Sequence, residues 1–202
     1  MALYPILVEM ENAPVLVAGG GHIALHKAQL FMEQGADVTV VAPEVCREIE
    51  ELGVKIEKRK ICADDAAGKM IVADATGDPE AEEMLSAVCK DAHIPYICAG
   101  HGELCTAVLP AVYSKGRTVV AVSSKGASPA ASARLRDILA AYVPENMDGI
   151  LDAMAECRKI AKESFKEQPV RREYLHRCLD EMLKTGKPIS KEEMLLIRDN
   201  TI

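Results

Sequence analysis

Short apolar runs alternate with segments of helical spacing as far as Pro144, and beyond it only helical spacing continues. Val15-Leu16-Val17-Ala18 is the first buried-strand run. Ile23, Ala24, Lys27, Ala28, Leu30 and Phe31 then trace a broadly amphipathic helix that Gly35 can end as a left-handed cap. Asp37-Val38-Thr39-Val40-Val41 is β-branched, as suits a buried parallel strand. The pattern goes on to predict a helix over 43–52, strands over 54–58 and 70–75, a helix over 79–90, strands over 94–99, 106–110 and 118–122, and a helix from Pro129 to about Tyr142. Asp78 and Ser128 stand where N-caps belong, each followed by proline at the first helical position. Toward the C-terminus, Ile150, Leu151, Met154, Cys157, Ile160 and Ala161 recur at helical spacing, as do Tyr174, Leu175, Cys178, Leu179 and Met182. Gly186 and Pro188 precede a short final helix, where Ser190 and Glu193 form a capping box. Such stripes read as packing or subunit surfaces.

Composition bounds what this pattern can be. A chain of 202 residues with 49% apolar content is long enough for one core plus an appended helical or dimerisation module. A net charge of −7 argues against a general nucleic-acid binder, because the phosphate backbone rewards a basic face. With no run of about 20 apolar residues and no leader pattern, the expectation is a cytoplasmic protein without a membrane partner. The cysteines form no Cys-x-x-Cys pair and no zinc-ligand spacing, so free thiols and no metal site are expected. There is no tryptophan, and Phe31 and Phe165 are the only phenylalanines, which leaves the core to aliphatic side chains and methionine.

Candidate chemistry sits where predicted strands end. Gly19-Gly20-Gly21-His22-Ile23-Ala24 follows the first strand and opens the first helix with the spacing Gly-x-Gly-x-x-Ala, the pattern of a dinucleotide phosphate cradle. A phosphate there would meet unpaired amides and the positive end of a helix dipole. The next strand ends at Ala42-Pro43-Glu44 without a well-placed ribose-binding carboxylate. No arginine stands at the strand end either, which leans to NAD over NADP. Thr76-Gly77 follows the 70–75 strand, at an edge where cofactor contacts are expected. Gly100-His101-Gly102 follows the 94–99 strand, and a glycine-flanked histidine is a candidate proton acceptor or a plain turn residue. Ser123, Ser124, Lys125 and Ser128 gather hydroxyls and a cation before a helix start, a combination suited to carboxylates or phosphates; the alternative is an ordinary cap.

Taken in order, Tyr4-Pro5-Ile6, Val17 to Gly21, Ala24 to Ala28, Val40 to Glu44, Leu104-Cys105, Pro110-Ala111-Val112 and Ser123 to Pro129 resemble the precorrin-2 dehydrogenase and sirohydrochlorin ferrochelatase family of siroheme biosynthesis. The Ser-Ser-x-Gly-Ala-Ser-Pro element before a helix is the most specific stretch. The resemblance implies an α/β fold: a Rossmann-type parallel sheet over 1–103, a central α+β dimerisation and substrate-binding segment over 104–145, and an α-helical tail over 146–202. It also implies NAD-dependent oxidation of precorrin-2 to sirohydrochlorin by a homodimer. Lys125 and Arg136 would receive substrate carboxylates. Arg136 matches a family arginine, while another falls on Ala133, with Arg134 adjacent. Bifunctional members carry an aspartate after the fifth strand, and here that position falls on Gly100. The resemblance therefore implies dehydrogenation, with His101 as proton acceptor, and supplies no carboxylate at this position for metal insertion. Two alternatives stay open: an NAD/tetrapyrrole-binding sensor or carrier without catalysis, and a dehydrogenase for another polycarboxylate.

Overall fold

The computed structural model describes residues 3–201, and the chain divides into two compact units at Leu109/Pro110. The first is built on five parallel strands: β1 (Pro14–Ala18), β2 (Asp37–Val41), β3 (Lys55–Glu57), β4 (Ile71–Asp74) and β5 (Tyr96–Cys98). Their order, β3-β2-β1-β4-β5, is doubly wound and reverses between β1 and β4. In β1, Val15 and Val17 join one apolar cluster with Ala24, Ala28 and Phe31 of α1 (His22–Met32). Leu16 and Ala18 join another with Leu85 and Cys89 of α3 (Pro79–Asp91). Period-two alternation thus buries both sheet faces, which is why the strands read as continuous apolar runs.

The chain ends α1 as expected. Gly35 takes φ +80° and the Ala36 amide returns to the Phe31 carbonyl, closing the last turn. Asp78 caps α3 by accepting from the Glu80 amide at 3.1 Å.

Two expectations are corrected. The helix expected over 43–52 is only α2 (Arg47–Glu51): Pro43 and Glu44 form a bend, and the Cys46 amide bonds the Gly20 carbonyl at 2.8 Å instead of joining a helical turn. The strand expected over 106–110 is irregular. The Thr106 and Ala107 amides both turn back to the Tyr96 carbonyl, so no ladder forms, although Ala107 and Leu109 pack on the first unit's core. The first compact unit runs to Leu109.

Between β3 and β4, a 3-10 turn (Ala63–Ala66) is held by Asp65. Its carboxylate accepts from the Cys62 amide at 2.8 Å and from both terminal nitrogens of Arg59. The guanidinium beside it lowers the Asp65 pKa from 3.8 to about 2. A lowered folded-state value gives stability that is present above the unfolded pKa and lost as pH falls from about 4 toward 2. Arg59 is 42% exposed and water screens the pair, so Asp65→Asn should cost about 1 kcal/mol at pH 7. Urea denaturation should show that gap closing at pH 2.

The second unit begins with a strand the apolar pattern did not announce, β6 (Ala111–Lys115), paired antiparallel with β7 (Thr118–Val122). Gly116 at φ +54° makes the two-residue turn. The Arg117 side chain ties the hairpin to the Asp148 carbonyl at 2.8 Å and to Asp152 at 2.7 Å. Helix α4 (Pro129–Ala140) packs on both strands. The tail comprises α5 (Met147–Ser164), α6 (Gln168–Thr185) and α7 (Lys191–Asp199). Ile150, Met154, Cys157, Tyr174, Cys178, Met182 and Met194 form its core, and the Ser190/Glu193 capping box is present. The helical stripes are therefore used in packing.

Candidate active site

The carboxyl ends of β1 and β4 meet where the strand order reverses, which in doubly wound sheets is where ligands bind. Gly19 follows β1 at φ +112°, and a Cβ on it would stand 2.7 Å from the Ala75 carbonyl carbon. Only glycine lets the two strand ends approach so closely. Gly20 is equally confined, since a Cβ there would lie 2.8 Å from the Val45 Cα, a packing demand the spacing rule does not reveal. Gly21 differs, because a Cβ on it would meet nothing within 4 Å.

Gly21 is also the N-cap of α1 and supplies no side-chain cap. The first amides of the helix thus remain without intrahelical partners, and His22 and Ile23 are exposed beside them. Ala24 is fully buried and lets α1 pack close to the sheet. The turn therefore keeps a backbone cradle that a side chain would fill, as a dinucleotide pyrophosphate requires. After β2, Ala42 is buried and Pro43 exposed, while Arg47 pairs with Glu51 at 2.8 Å rather than standing free.

Beyond β4, the Asp74 carboxylate organises the edge. Its Oδ1 accepts from the Thr76 amide at 2.9 Å and hydroxyl at 2.7 Å, and its Oδ2 accepts from the Tyr96 hydroxyl at 2.9 Å. Gly77 then turns at φ +64° with open space around it. Asp74 and Tyr96 were missed in sequence, although a carboxylate closing the apolar run Ile71-Val72-Ala73 is a visible signal.

His101 follows β5 and is half-exposed, with its Nδ1 against the Glu82 carboxylate, which is 1% exposed. Hydrogen bonding to that carboxylate raises the histidine's pKa above the ordinary imidazole value. Gly100 is narrow for the same reason: a Cβ there would come 2.7 Å from Glu82 Oε1. The sequence leaves Gly100 without a carboxylate, and the fold brings one from α3. Glu82 shares the buried stripe of Ala81, Leu85 and Cys89, a phase at which a charge is unexpected, and that was the signal to follow.

In the second unit the serines are occupied internally. Ser128 caps α4 through the Ala131 amide at 3.2 Å, and the Ser124 hydroxyl bonds both the Ser128 amide and carbonyl. Ser123 accepts from the Lys125 amide at 3.1 Å, and Lys125 is held at φ +55°. Buried Ser132, not foreseen, completes the cluster. Arg136 pairs with its neighbour Asp137 at 2.6 Å. These hydroxyls shape the loop, which leaves Lys125 as its exposed cation.

An NAD(P)-binding family model matches residues 6–111. The chain belongs to this family. Siroheme synthases of Nitrosomonas eutropha, Ectopseudomonas mendocina and Nitrosospira multiformis are 28%, 30% and 31% identical to it over 97%, 96% and 93% of the chain. The chain spans less than half the length of these relatives: 43%, 44% and 42% respectively. A solved structure described as SirC, precorrin-2 dehydrogenase, is 25% identical with a TM-score of 0.63, and the match covers 98% of both chains. The family resemblance and the Rossmann-type fold class read from the sequence are thereby borne out. Among the described residues, no helix is long and apolar enough to cross a membrane.

Proposed function

We propose that this protein oxidises precorrin-2 to sirohydrochlorin with NAD as acceptor. The observation that supports this most directly is the open cradle at Gly21, placed at the strand-order reversal of a fold shared with SirC. When bound, NAD supplies the hydride acceptor. Gly19, Gly20, Gly21, His22 and Ile23 would seat its pyrophosphate, with Ala42, Pro43, Thr76 and Gly77 beside it. NAD is favoured over NADP because Arg47 is already paired with Glu51.

His101 would accept the proton released with the hydride. Its Nδ1 faces Glu82, so Nδ1 holds the ring proton and leaves Nε2 free as the basic atom. Ser123, Ser124, Lys125, Ser128 and Arg136 are proposed as substrate contacts. The functional division we propose is tripartite, with residues 104–145 serving dimerisation and substrate binding between the Rossmann-type domain and the helical tail. All seven cysteines are free thiols, which supports a cytoplasmic setting.

Anaerobic incubation with precorrin-2 and NAD tests this. NADH and sirohydrochlorin should appear together. If precorrin-2 and NAD both bind and no NADH forms, the protein is a sensor or carrier instead. If tetrapyrroles fail to bind while another polycarboxylate supports NADH formation, the substrate assignment falls. A His101→Ala variant that binds NAD and retains wild-type turnover would remove the proton-acceptor role.

A homodimer is supported by α4, where Leu135, Ile138 and Leu139 are exposed, by Tyr142 exposed just beyond its end, and by Val112 and Val119 exposed on the hairpin. Leu139→Glu should turn the dimer into a monomer by analytical ultracentrifugation and leave NAD binding unchanged. A variant that sediments like the wild type would move the interface elsewhere.

A further inference from the structure

Three donor atoms of unlike chemistry meet at the carboxyl end of β5. A Cys98 Sγ, a Glu82 carboxylate oxygen and a His101 ring nitrogen all lie within 4.8 Å of one another. Cys98 closes the strand, His101 follows it across the turn Ala99-Gly100, and Glu82 arrives from α3. We propose that Glu82, Cys98 and His101 bind a divalent transition-metal ion of the borderline class that includes Zn2+, Co2+ and Fe2+. The proposal goes beyond the dehydrogenase reading and does not depend on it.

The donor set selects this class. Sulfur and imidazole nitrogen suit borderline ions, whereas Mg2+ and Ca2+ take oxygen ligands. Three protein ligands leave a fourth position open to water or to a further ligand. The short Cys-x-x-His turn places both donors from one loop, and the His101 amide donates to Cys98 Sγ at 3.3 Å, a bond that favours the thiolate. Cys105 holds the same loop from behind, its Sγ accepting from the Cys98 amide at 3.1 Å.

Charge points the same way. Glu82 is buried at 1% exposure, and among the described residues its ion-pair partner is His101, with no lysine or arginine bridging it. Glu83 and Glu103 add negative charge around the histidine. A buried carboxylate beside a thiol in acidic surroundings holds a cation far better than an anion. Gly100 is what lets Glu82 reach this position, because any Cβ there would press on its Oε1.

Titration of the untagged full chain with Co2+, in the absence of NAD and tetrapyrrole, tests the site. One equivalent should bind with a thiolate-to-cobalt charge-transfer band that Zn2+ displaces. Cys98→Ser should abolish the band, and Glu82→Gln and His101→Ala should each weaken binding about tenfold or more. Cys62→Ser, at an exposed thiol elsewhere, should leave it intact. Absence of the band in the wild type, its persistence in Cys98→Ser, or unchanged affinity in both other variants would overturn the proposal. Circular dichroism guards against misfolding. Should Cys98→Ser not fold, the half-exposed His101 provides the deciding variant. No precorrin-2 is present, so failure here leaves the dehydrogenase reading standing, and absent NADH formation in the turnover assay leaves the metal site standing.

Discussion

Gly21→Ala is expected to keep its stability and weaken dinucleotide binding, whereas Gly19→Ala is expected to lose in both. At Gly21 the backbone is ordinary and extended, with φ −91° and ψ −171°, and an added Cβ touches no protein atom. Stability should therefore stay within about 0.5 kcal/mol of wild type. The added methyl would instead occupy the space where a pyrophosphate lies against the α1 amides, so the NAD dissociation constant should rise about tenfold or more, equivalent to about 1.4 kcal/mol. Gly19 combines a positive φ, which costs a side chain about 1–3 kcal/mol, with a backbone obstacle at Ala75 that cannot rotate away. Its alanine variant should lose about 3–4 kcal/mol in total. Chemical denaturation and calorimetric NAD titration separate the two effects. A Gly21→Ala variant binding NAD as tightly as wild type would show that the phosphate is not seated on this turn.

What could be read from the sequence divides along physical lines. The strand, glycine turn, helix and second strand were legible because local steric rules dictate them, and Asp78 and Ser128 likewise announce their helices through local hydrogen bonds. The misreadings arise where a contact far along the chain decides the outcome. The run Thr106 to Pro110 is apolar enough for a strand, but its amides are taken by the Tyr96 carbonyl. Pro43 to Cys46 reads as the start of a helix, yet the Cys46 amide bonds Gly20 and the helix begins only at Arg47. Glu82 shows the limit most clearly. A glutamate in a helix reads as a solvated charge unless its place on the buried stripe is followed, and the tertiary path of β5 is what sets it against Gly100 and His101. The site was thus legible where chemistry is local to one loop, and hidden where it is assembled from α3 and β5 together.

Asp74→Ala should be the more damaging of two substitutions in the buried network behind the β4 edge, and comparison with Tyr96→Phe separates stability from positioning. Asp74 is 1% exposed and Tyr96 fully buried. Burial and the neighbouring carboxylate push the Tyr96 hydroxyl well above the ordinary phenol pKa, so it stays protonated and remains a donor. Tyr96→Phe removes one bond to Asp74 and should cost about 1–3 kcal/mol, while Thr76 keeps both of its bonds and NAD affinity holds. Asp74→Ala removes the acceptor for three donors at once, two of them on Thr76, and opens a void beneath the sheet edge. A loss of about 3–5 kcal/mol is expected. Because Thr76-Gly77 is then no longer tied to the end of β4, NAD affinity should fall as well. Thermal denaturation gives the stability ranking and NAD titration the positioning effect. Equal NAD affinity in the two variants would mean that the loop is ordered without Asp74, and the link from this buried carboxylate to the cofactor edge would be lost.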